Sequence, residues 1–217
     1  MSFNRFLEKT ITKSQRCQRN WDLSRQIPIE DIKTMQISVT DCASKQNRVF
    51  YKAKFITNRK IIEKIHANTM GARVHTEEGF YSDEAISTNS QTLANLVVVF
   101  CHDDDPLNKY KGDEEKVLAG IEKGDREKAY QIVERDRDTA IGIASAYLTL
   151  TSNILGYSSG CCQCFDEEKV SEVLGGDKPL LIMGIGYPDP KRSRLEHHVT
   201  GKRFPSISKN INIEEIL

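Results

Sequence analysis

Apolar residues recur along this chain with two different periods, and the two alternate. Residues 3–11 space them as a helix does. A second helical stripe begins after Pro28, with Ile29, Ile32, Met35 and Ile37 apolar and Glu30 and Asp31 in the first turn, where acidic groups suit the positive helix end. A polar, basic stretch, 13–26, separates the two. Residues 48–57 alternate apolar and basic side chains, the period of a strand. Asn58 is placed to cap a helix through about residue 70, with Ile61, Ile62 and Ile65 facing inward. Residues 70–89 are rich in Gly, Ser, Glu and Asp and read as a loop.

The second half repeats the alternation. Residues 96–101 (LVVVFC) form a wholly apolar run bounded by polar residues, which predicts a buried central strand ended by 102–106. Residues 113–123 read as a short helix. Residues 125–155 are strongly helical, with a break expected near 136–138. The later part puts Ile143, Ala144, Tyr147, Leu148, Thr151, Ile154 and Leu155 on one face, and Gly156 follows where a left-handed helix-ending residue belongs. A short helix over 167–174 is stopped by Gly175 and Gly176, and 179–186 (PLLIMGIG) reads as a second buried strand. Residues 187–204 are basic, and the tail 211–216 alternates in a way that suits an added strand. Strands interleaved with helices give an α/β or α+β domain. The pattern leaves the direction of the strands open.

The 217 residues make a single domain, 1–217, the preferred reading, and are enough to bury a core without disulfides. With 38% hydrophobic and 29% charged residues the chain is globular rather than disordered. Residues 139–164 are too interrupted by Ser, Thr, Asn and Gly to span a membrane, and the charged residues Arg5, Glu8 and Lys9 argue against a secretory signal. Net charge is zero but unevenly spread. Residues 1–60 carry 13 Lys or Arg against 5 Asp or Glu. That excess is either a solvated face or the footprint of an anionic partner, a phosphate or a nucleic acid. The nucleic-acid reading leans on Phe50, Tyr51 and Phe55 interleaved with the basic residues. Six cysteines without framework spacing point to free thiols and a reducing, cytoplasmic setting.

Four clusters carry candidate chemistry. Arg16 and Arg19, three apart, can grip one anion through forked hydrogen bonds, and alone they are equally two exposed arginines. Lys202 and Arg203 are a second basic pair, which would complete a phosphate clamp if the fold brought it to the first. Cys161, Cys162 and Cys164, with His197 and His198, carry metal-binding side chains at the wrong spacing for zinc, so no metal is assigned and thiols buried on a strand are the favoured reading. Cys17 or Cys164 as a nucleophile has no supporting local pattern. Gly184 and Gly186 follow a strand, but no third glycine or following helix completes a dinucleotide fingerprint.

Six segments in order resemble the nitroreductase family of flavin-dependent NAD(P)H oxidoreductases. Gln15-Arg16-Cys17-Gln18-Arg19-Asn20-Trp21 is similar to the family's Arg-Arg-Ser-x-Arg-x-Phe, and Pro28-Ile29-Glu30 to its Ile-Pro-x-Glu helix start. Ala43-Ser44-Lys45-Gln46-Asn47 resembles Pro-Ser-x-x-Asn, and Thr88-Asn89-Ser90-Gln91 the Asn-Pro-Gln segment before the central strand. Asn153-Ile154-Leu155-Gly156 resembles the end of the long core helix, and Gly184-Ile185-Gly186-Tyr187-Pro188 the Gly-x-Gly-Tyr-Pro strand end. Gln15, Cys17 and Ala43 depart from the pattern, and Cys161-Cys162-Gln163-Cys164 stands where the family has Pro-x-Glu-Gly.

The resemblance implies an α+β fold, a mixed central sheet flanked by helices. It implies an intertwined homodimer in which the small residues about 142–146 meet the partner and the tail 211–217 reaches the partner's sheet. It implies FMN as cofactor and NAD(P)H as co-substrate. Arg16, Cys17, Lys202 and Arg203 would lie near the phosphate and ribityl chain, and Arg19 near N1 and O2 of the ring. Asn89 would bond the pyrimidine edge, the backbone of Gln163 and Cys164 would face N5 and O4, and Ser44 and Asn47 would reach the flavin of the other subunit. No side-chain nucleophile is required, because the flavin carries the hydride. The acceptor would be a nitroaromatic, a quinone or another conjugated molecule, with residues 70–89 shaping its pocket. The altered cysteine segment keeps a second flavin chemistry open: dehalogenation, dehydrogenation or flavin fragmentation.

Overall fold

The computed structural model describes residues 2–47, 51–71, 88–103, 126–196, 198, 201, 203 and 213–214. The chain builds α1 (Phe3–Ser14), α2 (Ile29–Thr40), a 3-10 turn (Lys45–Asn47), β1 (Tyr51–Ile56) and α3 (Arg59–Ala67). A second 3-10 turn (Ser90–Thr92) leads into β2 (Leu96–His102). The long helix α4 (Arg126–Ile154), β3 (Ser158–Cys162), α5 (Glu167–Val173) and β4 (Pro179–Gly186) follow.

The four strands form one sheet in the order β1-β2-β4-β3, antiparallel throughout. This settles the direction that periodicity left open. β2 and β4 are central, as their apolar runs require. The two-residue period of β2 divides the core. Leu96, Val98 and Phe100 face Met35 and Val39 of α2 and Ala144 and Leu148 of α4. Val97, Val99 and Cys101 face Ile62 and Ile65 of α3 and Val170 of α5. Helices therefore cover both faces of the sheet.

Local signals fix several helix ends. The Asn58 side chain accepts from the N–H groups of Lys60 and Ile61, and the Asp166 side chain from that of Lys169. Gly156 takes a φ of 97°, which allows the chain to leave α4 and enter β3.

The break expected near 136–138 is absent, and α4 runs through it. No Gly or Pro stands there, and the inward stripe Ala140, Ile141, Ala144 and Leu148 begins directly after it. Asp136 is held by Lys45 at 2.6 Å and by Arg135 at 3.3 Å. The inward stripe also differs from the expected face. Tyr147 and Ile154 are 47% and 46% exposed, and Phe3 and Ile11 of α1 are 72% and 52% exposed. The helix expected over 113–123, residues 48–50 of the first strand, most of the 70–89 loop and most of the tail lie outside the described residues.

Candidate functional site

Residues 15–22 leave α1 and run along the open edge of β3. Gln18 N–H donates to the Ser159 carbonyl at 2.8 Å. The buried Gln18 side chain folds back, and its Oε1 accepts from the N–H groups of Arg19 at 2.9 Å and Asn20 at 3.2 Å. Gly160 permits this approach, because a Cβ there would meet the Gln18 carbonyl at 2.8 Å and the Gln91 side chain at 3.2 Å.

The same segment gathers the basic C-terminal region. Asn20 Nδ2 donates to the Ser193 carbonyl at 2.7 Å and the Glu196 carbonyl at 2.9 Å. Asp189 N–H donates to the Asn20 carbonyl at 2.9 Å. Arg19 Nη1 reaches the Arg194 carbonyl at 3.4 Å. Glu196 pairs with Arg203 in an isolated antiparallel bridge. The second basic cluster is thus brought to the first through Arg203, while Lys202 lies outside the described residues. Arg16 is exposed at the end of α1. Burial lowers the pKa of the Arg19 guanidinium, and Cys17 acts the other way. A half-buried cation at this edge invites a negative counterpart.

Across the end of β3 stands the turn that carries Asn89. Its N–H donates to Thr69 Oγ1 at 2.7 Å, and its Oδ1 caps the Gln91 N–H at 3.0 Å. Residues 163–166 lie alongside 68–70: Met70 N–H donates to the Cys164 carbonyl at 2.8 Å, and Thr69 bridges Phe165. Gln163 and Cys164 follow the last ladder residue, Cys162, so their N–H groups fall beyond the sheet pairing. Cys161 and Cys162 point to opposite faces, as adjacent strand residues do. Cys162 is buried in the core while Cys161 lies at the surface edge. Desolvation pushes both thiols up to about 11, Cys17 adding to the effect at Cys161. Among the described residues no group of three or more His, Cys, Asp or Glu side chains is placed to hold a metal.

The structure brings Cys17, Arg19, Asn89, Gln163, Cys164 and Arg203 to one edge of the sheet. Ser44 and Asn47 are not among them. They follow α2 and precede β1, the strand at the opposite edge, and Lys45 between them binds Asp136 of α4. Gly184 and Gly186 have a packing role. A Cβ at Gly184 would overlap the Gln91 carbonyl, and one at Gly186 would overlap Asn95 Oδ1. Asn20 and His66 are positioned here and were not singled out by pattern. Asn20 is hidden in a basic motif, and His66 lies on the flank of the Ile62 and Ile65 stripe.

No protein-family model matches the chain, and no curated protein matches it in sequence. Solved structures match it across nearly its whole length. A nitroreductase family protein from Streptococcus pneumoniae TIGR4 is 18% identical, with a TM-score of 0.60 over 94% of this chain and 100% of that one. A protein classed as a nitroreductase, in complex with FMN, from Exiguobacterium sibiricum 255-15 is 18% identical, with a TM-score of 0.59 over 93% and 92%. A protein classed as an NAD(P)H:FMN oxidoreductase from Staphylococcus epidermidis ATCC 12228 is 13% identical, with a TM-score of 0.62 over 97% and 95%. The chain therefore has the α+β nitroreductase fold.

Proposed function

We propose that this chain is an FMN-dependent oxidoreductase that passes hydride from NAD(P)H, by way of flavin N5, to a nitroaromatic, quinone or similar conjugated acceptor in alternating half-reactions. The observation that carries the reading is the convergence of Arg19, Asn89, Gln163, Cys164 and the Arg203 segment at the β3 edge. The fold match adds to it, since one matching structure holds FMN.

The donor set suits the cofactor. The forked cations are those a phosphate needs, and the buried atoms Asn20 Oδ1 and Gln91 Oε1 at this edge have no hydrogen-bond partner among the described residues. Bound FMN would supply a ring that accepts and returns two electrons with a proton. Arg16, Cys17, Lys202 and Arg203 would hold the phosphate and ribityl chain. Arg19 would place a fixed, half-desolvated positive charge where negative charge builds on the ring, a stabilisation that costs no reorganisation during reaction. The Asn89 amide would meet the pyrimidine edge, and the N–H groups of Gln163 and Cys164 would orient the reactive edge.

The reading includes a homodimer. Tyr147 and Ile154 of α4 and Phe3 and Ile11 of α1 are exposed apolar residues on two helices that pack together, and Gly142 and Ala146 of α4 are exposed as well. Ser44 and Asn47 would serve the flavin of the other subunit. No helix among the described residues is long and apolar enough to cross a membrane, and all six cysteines are free, which suits a cytoplasmic enzyme.

An absorbance spectrum of the purified protein, taken before and after anaerobic NADPH or NADH, tests the reading. A flavin spectrum that bleaches supports it. A flavin spectrum that persists with both donors removes the nicotinamide step and turns attention to other flavin chemistry. Colourless protein that takes up no added FMN overturns it.

A further inference from the structure

Behind the Asn89 turn lies a chain of hydrogen bonds whose direction is fixed at one end. His66 Nδ1 is 3.1 Å from the Asn89 carbonyl and 3.2 Å from Thr92 Oγ1. The carbonyl only accepts, and the Thr92 hydroxyl already gives its proton to that same carbonyl at 2.8 Å. Nδ1 must therefore carry the proton. Nε2 of the neutral ring is then an acceptor, and it takes the Thr88 hydroxyl proton at 2.9 Å. With its proton spent, Thr88 Oγ1 accepts from His198 Nε2 at 3.4 Å. The two imidazole rings stand edge to face, 5.5 Å apart between centroids.

This chain joins segments that the primary sequence keeps far apart. His66 ends α3, Thr88 and Asn89 begin the turn before β2, and His198 belongs to the basic segment whose Glu196 pairs with Arg203. Arg192 Nη2 holds the His198 carbonyl at 3.2 Å. We propose that His66, Thr88 and His198 form a proton-linked latch that holds the Arg203 segment against the Asn89 turn, and that protonating His66 releases it and weakens binding of the phosphate-bearing cofactor. This rests on reading the edge as a flavin site. His66 acts here as a positioning residue, through Asn89 and Thr88.

The direction follows from proton counting. A proton added at His66 Nε2 turns that atom into a donor, so Thr88 Oγ1 must accept there. Among the described residues the Thr88 proton then has only His198 Nε2 to face, and that atom already holds one. Either His198 gives up its Nε2 proton or the link breaks. The charges that act on His66 are Arg59 and Glu63 on its own helix; the C-terminal segment faces it with the His198 ring, and Arg192 bonds the His198 carbonyl. The Asn89 turn offers it only neutral groups, and the charged side chains of α5, Glu167, Glu168, Lys169 and Glu172, are exposed to solvent. Burial holds the His66 imidazole below its ordinary value of 6.5, so the latch is closed at neutral pH and opens on acidification.

The test is the FMN affinity of the full chain, read by quenching of flavin fluorescence, from about pH 7.5 down to about pH 5.5. The wild type should lose affinity severalfold across this range, because the imidazole titrates below 6.5 and the full effect is reached only once the pH is below its value in both the free and the bound form. Thr88→Val keeps the side-chain shape but removes the link, and His66→Asn keeps a donor toward the Asn89 carbonyl but cannot titrate. Both should bind severalfold more weakly at the upper pH and show a flat profile. A second reading needs no cofactor: imidazole nitrogen-15 shifts should show His66 protonated at Nδ1 and His198 at Nε2, and Thr88→Val should scramble only His198. The opposite tautomers, or a Thr88→Val profile that follows the wild type, overturn the latch. A wild type that binds FMN with a flat profile overturns the latch alone. A wild type that shows these tautomers and binds no FMN at any pH overturns the cofactor reading, and the latch's role in binding falls with it.

Discussion

The Trp21 indole N–H donates to the Ser90 carbonyl at 2.8 Å, and both residues are buried. One bond thus ties the basic segment along β3 to the turn that presents Asn89. Trp21→Phe keeps most of the apolar area but leaves a buried carbonyl without its donor. The expected cost is about 1–3 kcal/mol, the penalty of an unmet buried polar group. Urea denaturation should show a lower midpoint with an unchanged slope. An unchanged midpoint would mean that water or a neighbour replaces the indole.

Gly184 and Gly186 permit the turn over 90–95 to lie directly on β4. A methyl group at Gly184 would overlap the Gln91 backbone carbonyl, and one at Gly186 would overlap Asn95 Oδ1, which accepts from Tyr187 N–H at 3.1 Å. Gly184→Ala must displace backbone. It should cost more than the roughly 1–3 kcal/mol usual for overpacking and reduce soluble yield. Gly186→Ala meets a side chain and not backbone; Asn95 can turn away by giving up its bonds to the Asp22 and Arg25 carbonyls and to Tyr187 N–H, so the cost should be smaller than that of displaced backbone. Thermal melts of the two variants give the order, and the reverse order would contradict the packing described.

How much of this was legible in the residues differs from element to element. β2 and β4 were visible because a strand buried on both faces must be apolar at every position. α3 was visible because Asn58 and the Ile61, Ile62 and Ile65 spacing agree. The continuity of α4 was obscured by its charged 136–138 stretch, since charge density alone breaks no helix. Tyr147 and Ile154 share one apolar face with Ala144 and Leu148 in the sequence, yet only the latter two are buried, because hydrophobicity does not distinguish the core from an exposed apolar face. At the candidate site, the basic and Asn89 motifs were legible as pieces. Their meeting was not, because it depends on Gln18, Asn20 and Gly160, whose roles exist only once β3 stands beside residues 15–22.

Arg19 is the half-buried member of the basic motif and Arg16 the exposed one. Replacing each by Gln should therefore have unequal effects on FMN affinity. Arg19→Gln removes a charge-assisted contact in a partly desolvated place, worth about 1.5–3 kcal/mol, or about tenfold to a hundredfold in affinity. Arg16→Gln removes a screened surface charge and should cost only severalfold, less at high salt. Equilibrium titration at two ionic strengths separates the two. Equal losses at both positions would place the anion outside the geometry proposed here.

The buried thiols predict how the fold responds to alkali. Burial pushes Cys101 up to about 11, and Cys162 likewise, from an ordinary value of 9.0. Between those values the unfolded chain releases protons that the folded chain retains. These groups therefore contribute stability that is fully present below about pH 9 and is lost as pH rises toward about 11. Tyr51 and Tyr157 are raised as well, by burial and then by Cys42 and Asp31 respectively, and steepen the far end of the same decline. Lys13, lowered by burial, works against it. Cys101 has no exposed surface and packs between Ile62, Ile65 and Val99, which makes it the cleanest site to test. Cys101→Ala should lower the urea midpoint at neutral pH through the small cavity it leaves, yet show a shallower fall between about pH 9 and about pH 11 than the parent. Comparing the two chains at each pH cancels the tyrosines and Lys13. Parallel declines would mean that the Cys101 thiol ionises in the folded chain as readily as in the unfolded one.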